Sequence, residues 1–418
     1  MKVSRRTVLA GLAASLAASG CGVGASPSFP LGVATGDVSA TSALLWTKYT
    51  RLDALQLRVW PEIGDVMSAP LRAVESVDGF VLLELTDLLP GQWHRFRFES
   101  EDGEVSPLGR FRTALAPDAL ETITLGATSC IKAGHSYAAL GHASRREDLD
   151  AFIFLGDTVY TDGAFTLDEY RDKWTKGLKG DDYQALRGST SLISIWDDHE
   201  VRNNWQGDDV DAQLLDHARR AFLEHQPLRR DPINPDRYWR SLKWGRTAEI
   251  FVLDGRSERV RSRGEYLSKD QLDWVITGVN ESDAMFKLVI NAVPIGSFDS
   301  AFFAPFNDDN WQVYPEQRTQ LLEGLEKASR TMVVSGDFHL GCFGRCARSG
   351  PGSSLFEALV GPGANAPNPL PTYPRGDPYE FSTALSSYSS FELNPSSGQA
   401  TVRYHAGDGR TLFERTLF

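Results

Sequence analysis

The rhythm of apolar and polar positions changes near residue 120, and that change divides the chain. Before it, short runs rich in β-forming residues succeed one another with turn chemistry between them. Residues 43–49, 54–60, 80–85, 94–100 and 108–113 read as strands, and Leu88-Leu89-Pro90-Gly91-Gln92-Trp93 reads as a turn feeding one of them. The pattern predicts a small fibronectin-like all-β domain over 30–115, with residues 114–119 as the linker. This stretch gathers no cluster of titratable groups, so a structural or substrate-rim role is expected of it.

From Glu121 onward short apolar runs alternate with helical periodicity, the texture of an α/β domain, here assigned to 120–418. Helices are predicted over 167–178, 212–226, 268–279 and 315–328, the third opening with the capping-box pattern Ser268-Lys269-Asp270-Gln271. Residues 341–377 are rich in Gly and Pro and read as loop. The tail, over 400–405 and 410–418, reads as a hairpin around Gly407-Asp408-Gly409.

Four of the apolar runs end in chemistry. Residues 122–128 end at Ser129-Cys130, and 151–155 at Gly156-Asp157-Thr158-Val159-Tyr160. Residues 192–196 end at Asp197-Asp198-His199-Glu200, and 331–335 at Gly336-Asp337-Phe338-His339. Strands ending this way present such groups in the crevice at their carboxyl edge. Taken singly, Cys130 reads as a buried thiol, Tyr160 as a core or rim aromatic and His339 as a loop histidine. Recurrence at four strand ends points instead to one shared crevice.

Composition narrows the partners. With 41% hydrophobic and 23% charged residues the chain is a globular protein rather than a disordered one. Its 418 residues suggest a large domain plus a smaller one. A net charge of −12 disfavours nonspecific nucleic-acid or anionic-membrane binding and suits a protein that collects divalent cations.

Residues 1–24 read as an export signal. Ser4-Arg5-Arg6-Thr7-Val8-Leu9 is a twin-arginine pattern, followed by an apolar run over 10–20 too short to span a bilayer. Cys21 follows Ala18-Ser19-Gly20, similar to a lipoprotein cleavage site in which Ala18 replaces the usual Leu. Export machinery, and a lipid anchor at Cys21, are the expected partners here. The destination would be periplasmic, secreted or membrane-anchored. Cys342 and Cys346 are close enough in sequence to suggest a small disulfide loop, leaving Cys130 as an unpaired thiol.

Carboxylates, imidazoles, a thiol and a phenol together have metal-ligand character, with hard oxygens suiting Ca, Mg, Mn or ferric iron and the thiolate favouring a softer ion. A carboxylate such as Asp157 can bridge two cations, and two cations can clamp a phosphate and acidify a water. His199 would protonate the leaving oxygen or stabilise developing charge, Asn204 could be a further ligand, and Glu200 is the natural partner for orienting an imidazole. Lys132, Arg202 and Arg256 are candidates to face a phosphate.

The runs Ala127-Thr128-Ser129-Cys130, Phe154-Leu155-Gly156-Asp157-Thr158-Val159-Tyr160, Trp196-Asp197-Asp198-His199-Glu200-Val201-Arg202-Asn203-Asn204 and Ser335-Gly336-Asp337-Phe338-His339 resemble the PhoD-type alkaline phosphatases, within the calcineurin-like metallophosphoesterase superfamily. Weaker likeness extends to Gly32-Val33-Ala34-Thr35-Gly36-Asp37, Val252-Leu253-Asp254-Gly255-Arg256 and Asp309-Asn310-Trp311-Gln312-Val313-Tyr314-Pro315. The resemblance implies two packed mixed sheets flanked by helices and a site holding ferric iron (Fe3+) and calcium (Ca2+). Carried over by motif position, Cys130, Asp157, Tyr160 and His339 would hold iron. Asp157 would bridge to calcium, whose shell Asp198, Asn204 and Asp337 would complete. His199 would sit beside the phosphate, with Arg202 and Asn203 as substrate contacts. Asp198 rather than Asp197 is taken as the ligand because the superfamily places it directly before this histidine. Phe338 stands where the family commonly has Arg.

The expectation is an exported, monomeric, metal-dependent hydrolase of phosphate esters, serving phosphate scavenging. Two alternatives remain open. One is a diesterase, phospholipase or nucleotidase acting on a bulkier ester. The other is a non-catalytic cell-surface binding protein with a degenerate metal site.

Overall fold

Residues 26–51, 54–63, 72–74, 77–296, 309–366 and 378–418 are described by the computed structural model, so the leader and Cys21 lie outside the described residues. The first part of the chain supplies β1 (Val33–Gly36), β2 (Ala43–Lys48), β3 (Leu55–Pro61), β4 (Arg72–Val74), β5 (Phe80–Leu85), β6 (Trp93–Ser100) and β7 (Gly109–Arg112). Strands β4-β3-β6-β7 form a sheet of their own. The remaining three do not join it: β1 pairs in parallel with a strand of the α/β part, and β2 and β5 extend that sheet outward.

The α/β part begins with β8 (Ile123–Thr128), α1 (Ala138–Ser144), β9 (Ala151–Leu155), α2 (Leu167–Leu178), α3 (Asp181–Ser189), β10 (Ser191–Ile195) and α4 (Ala212–His225). It continues through β11 (Arg240–Trp244), β12 (Ala248–Val252), α5 (Lys269–Glu281), β13 (Phe286–Asn291), α6 (Pro315–Leu325) and β14 (Thr331–Ser335). The chain closes with β15 (Gly341–Arg345), β16 (Phe356–Leu359), β17 (Tyr379–Thr383), β18 (Ser387–Asn394), β19 (Gln399–Ala406) and β20 (Thr411–Leu417).

Two mixed sheets result. One runs β20-β19-β18-β8-β9-β10-β1-β2-β5, and the other β11-β12-β13-β14-β16-β15-β17. Strands β8, β9 and β10 are parallel neighbours, and β9 and β10 are buried at every position, as strands covered on both faces must be. Period-two alternation sorts β9 cleanly. Ala151, Ile153 and Leu155 join the core shared with Ile250, Leu288 and Val333 of the second sheet. Phe152 and Phe154 face the other way, into a cluster with Leu140, Trp174, Leu186 and Phe222 of α1–α4. The polar ends of these strands therefore converge on one rim.

Helix starts follow local chemistry. Thr166 and Glu169 close a full capping box on α2. Ser268 caps α5 through the Gln271 amide, but the reciprocal half is not made, because the Gln271 carboxamide instead bonds the Asp254 backbone at 2.8 and 3.1 Å.

Two expectations fail. The Gly-rich stretch read as loop contains β15 and β16. A Cβ on Gly344 would lie 2.4 Å from the Pro378 carbonyl oxygen, so this glycine serves close strand packing rather than a turn. Cys342 and Cys346 are free thiols. Four residues of extended chain separate their Cα atoms by roughly 13 Å, beyond the ~7 Å limit for a disulfide. Their side chains join different apolar clusters.

Candidate active site and metal centre

Three of the four strand ends turn at once through an unfavourable backbone conformation, and the loop after β10 does so further on, at Asn204. Among the described residues ten non-glycine positions have positive φ, and five are candidate site residues: Cys130 (56°), Asp157 (54°), Asn204 (56°), Asp337 (71°) and His339 (53°). Strain of this kind persists where a surrounding structure holds it in place, and it concentrates at functional sites. Gly156, at φ 81°, lets β9 end against β10, since a Cβ there would lie 2.4 Å from Cβ of Asp197.

The turns bring donors together. Cys130, Asp157 and His339 form one group, and Asp157, Asp198 and His199 a second. Asp157, Asp197, Asp198 and Asp337 form a third, the ligand atoms of each group lying within 4.8 Å of one another. Asp157 belongs to all three. The Tyr160 hydroxyl donates to Asp157 Oδ2 at 3.1 Å and lies 3.1 Å from His339 Nε2. Its ring lies 4.1 Å from that of His199.

Asn204 reaches the group through its backbone, which donates to Asp198 Oδ2 at 2.7 Å, while its side chain is exposed. Asn203 is exposed too, and its amide donates to Asp162. Arg202 turns to Asp209 at 3.1 Å instead of joining the cluster. Arg256 is no phosphate arm. It is fully buried, with Nε 2.6 Å from Asp197 and its terminal nitrogens 2.5 and 2.6 Å from Asp309. Of the basic candidates, Lys132 is exposed beside the site, its ammonium 5.2 Å from the Tyr160 ring centroid. Phe338 packs with Leu340, Cys342 and Leu359.

Glu200 does not orient an imidazole. It is buried and accepts from the Asp157, Thr158 and Asp197 amides and from the Thr158 hydroxyl, at 2.6–3.0 Å. It thus ties the turn after β9 to the turn after β10. The imidazole of His199 is held by Asp162, with Oδ2 2.6 Å from Nδ1. The sequence reading missed Asp162, which lies five residues beyond Asp157 in an ordinary turn. It also missed Asn365, which donates to the Tyr160 hydroxyl at 2.6 Å from a loop more than two hundred residues away.

Electrostatics explain what such a cluster lacks. Burial, then the neighbouring acids, pushes the carboxyls of Asp157 and Asp337 well above the carboxylate range. Burial and these same acids push the Cys130 thiol up. Burial raises Asp197 to about 7, against the pull of Arg256. Asp198 ends below its ordinary value despite burial, drawn down by Arg256, His199 and the Asn204 amide. The Asp198 Oδ1 and Asp197 Oδ2 atoms are buried without a hydrogen-bond partner among the described residues. Crowded acids, orphaned oxygens and a thiol beside a phenol and an imidazole fit bound cations, which would supply the missing positive charge.

Residues 125–373 match the PhoD-like phosphatase family, and residues 16–115 match the N-terminal domain of PhoD-like phosphatase. Alkaline phosphatase D of Bacillus subtilis (strain 168) is 26% identical over 376 residues, covering 74% of this chain and 64% of that protein. The chain thus spans a little under two thirds of that relative's length. A solved structure of PhoD superposes with a TM-score of 0.78 at 20% identity, covering 93% of this chain and 89% of the other. Purple acid phosphatase PPD1 from yellow lupin (Lupinus luteus) seeds superposes at 0.67 with 12% identity, covering 92% and 73%. These likenesses establish the two-sheet, helix-flanked metallophosphoesterase-like fold expected from the sequence. With well over half its length matched by the family's own pattern, the chain belongs to the PhoD-like phosphatase family.

Proposed function

We propose that the chain is an exported, metal-dependent hydrolase of phosphate esters that scavenges phosphate. The observation that carries this reading is Asp157, the one carboxylate common to every donor group at the rim. Cys130, Tyr160 and His339 with Asp157 offer the softer set, suited to ferric iron. Asp198 and Asp337 with Asp157 offer the oxygen set, suited to calcium, and the exposed Asn204 side chain would have to turn inward to complete it. Two bound cations supply charge neutralisation of the phosphate and lower the pKa of a water towards neutral.

The chain's own residues do the rest. Asp162 engages Nδ1 of His199, leaving Nε2 as the atom that hands a proton to the departing oxygen. The bond from phosphorus to that oxygen breaks as the bond to the attacking water oxygen forms. Glu200 keeps the Asp157 and Asp197 turns in fixed relation while charge moves. Lys132, exposed beside the Tyr160 ring, is the basic residue offered to the substrate's outer oxygens, together with Asn203; Arg202 would have to leave Asp209 to join them.

A twin-arginine leader over 1–24 supports export, Cys21 is the residue offered for lipidation, and a monomer is expected. Among the described residues no helix is long and apolar enough to cross a membrane. Phe338 in an apolar cluster, where an arginine is usual, favours bulkier esters and hence diesterase activity as a second reading.

Hydrolysis of nitrophenyl phosphate and bis-nitrophenyl phosphate by the mature chain, before and after chelation, tests both. Chelator-sensitive cleavage lost in Asp157→Asn is expected, and the monoester-to-diester ratio chooses between the readings. A variant that hydrolyses normally would sink the metal-dependent reading.

A further inference from the structure

A cavity of about 540 Å³ lies along β11, the outermost strand of the second sheet, and shares no residue with the acidic cluster. Pro117, Pro232 and Trp239 give it apolar surface, over a floor in which Val38, Leu115 and Leu242 are already buried. Five cationic side chains line it as well: Arg229, Arg230, Arg237, Arg240 and Lys243. Three carboxylates, Asp37, Asp231 and Asp283, share the lining, which leaves cations in excess there in a chain of net charge −12.

Most of those charges are already answered. Asp37 holds Arg240 at 2.7 Å, Asp231 holds Arg237, and Asp283 lies 3.1 Å from Lys243. Arg229 reaches Glu84 at 2.5 Å. Arg230 differs: it is exposed, and among the described residues it makes no hydrogen bond or ion pair. Arg240 is also braced by bonds to the Ser194 and Tyr238 carbonyls at 3.1 and 3.0 Å, so the wall beside Arg230 is fixed in place before any ligand arrives.

From this arrangement we infer that the cavity binds an anionic amphiphile, a small molecule carrying a phosphate, phosphonate or carboxylate on a short apolar body. A planar guanidinium matches such a head group with two parallel hydrogen bonds. The volume falls in the range of ligand pockets, and the apolar lining gives the body its place. One unanswered guanidinium holds a bare inorganic ion weakly, so both halves of the ligand are required.

Octylphosphonate, whose carbon–phosphorus bond resists hydrolysis, is the probe, titrated calorimetrically below its aggregation concentration. Binding is expected to the mature chain and, undiminished, to His199→Ala. Arg230→Glu, at an exposed position, should weaken it by about tenfold, the loss of one charge-assisted pair. Ser241→Trp, at an exposed lining position, should do the same by filling the space. Octanol and inorganic phosphate should each bind at least about tenfold more weakly than the probe. The inference is overturned if the mature chain gives no binding, if neither cavity variant changes it, if His199→Ala abolishes it, or if inorganic phosphate binds as well as the phosphonate. Failure of ester hydrolysis leaves these outcomes unaffected.

Discussion

The two oxygens of Asp162 divide their work between neighbours: Oδ2 lies 2.6 Å from His199 Nδ1, and Oδ1 accepts the Asn203 amide at 2.9 Å. One carboxylate therefore fixes both the imidazole and the peptide that leads into Asn204. Burial disfavours the charged imidazole, yet the bond to Asp162 and the fields of Asp198 and Glu200 outweigh it and hold its pKa above the ordinary value.

Asp162→Ala frees the ring and the peptide together. A loss of about 10- to 100-fold in kcat/KM is expected, the usual cost of removing a group that orients a functional imidazole. Asp162→Asn, which still accepts at one oxygen, should lose less. Steady-state kinetics on nitrophenyl phosphate decide it, and equal losses in the two variants would contradict the orienting role.

Arg256 sits among Asp197, Asp309 and the Trp205 carbonyl with no exposure. Arg256→Gln strands a buried carboxylate, and the protein should lose about 3–5 kcal/mol of stability. Arg202→Gln, at an exposed pair, should lose no more than about 1 kcal/mol. Urea unfolding of the two variants compares them directly.

Three cysteines, Cys130, Cys342 and Cys346, are free in the described chain. A mature chain that lacks Cys21 should titrate three thiols when unfolded, whether or not reductant was present beforehand. Folded, Cys342 and Cys346 should resist alkylation, because burial pushes each thiol up and keeps it protonated. Rapid alkylation of Cys342 or Cys346 in the native protein would contradict their placement.

Acid should destabilise the fold through buried histidines outside the site. Burial against Trp174 and Phe80 lowers His225 to about 3, and burial near Arg146 lowers His405 to about 4, both from 6.5. The unfolded chain takes up these protons first. Stability from neutral burial is therefore complete above about pH 6.5 and is lost as pH falls towards the native values. The limiting slope is about 1.4 kcal/mol per pH unit for each group. Unfolding free energies measured between about pH 7 and about pH 5 should fall less steeply in His225→Gln than in the parent.

How much of this was legible in the sequence differs from element to element. Apolar runs ending in Cys130, Asp157, Asp198 and Asp337 exposed the rim, because a buried parallel strand leaves its pattern in a few consecutive residues. The boundaries of β9 and β14 coincide with those read from sequence for the same reason, and those of α2 because its apolar residues recur at helical spacing behind a capping box. Asp162 and Asn365 were not legible, since turn geometry and a distant loop deliver them. Glu200 was legible as important and misread in its role: residue type announces a buried acceptor, and only backbone position reveals which amides it meets. The glycines of β15 misled because composition cannot distinguish a turn from a close strand crossing.

The order of the larger sheet has a consequence for how the molecule comes into being. On either side of its central β9, β8 pairs with β18 and β10 with β1, and one edge is β20. The earliest and latest strands of the described chain thus lie in a single sheet, so contact order is high. The rim that carries Asp157 lies between an early strand, β1, and a late one, β18. Acquisition of the site should then be slow and all-or-none, arriving once β18 has paired with β8 rather than accumulating as each segment emerges.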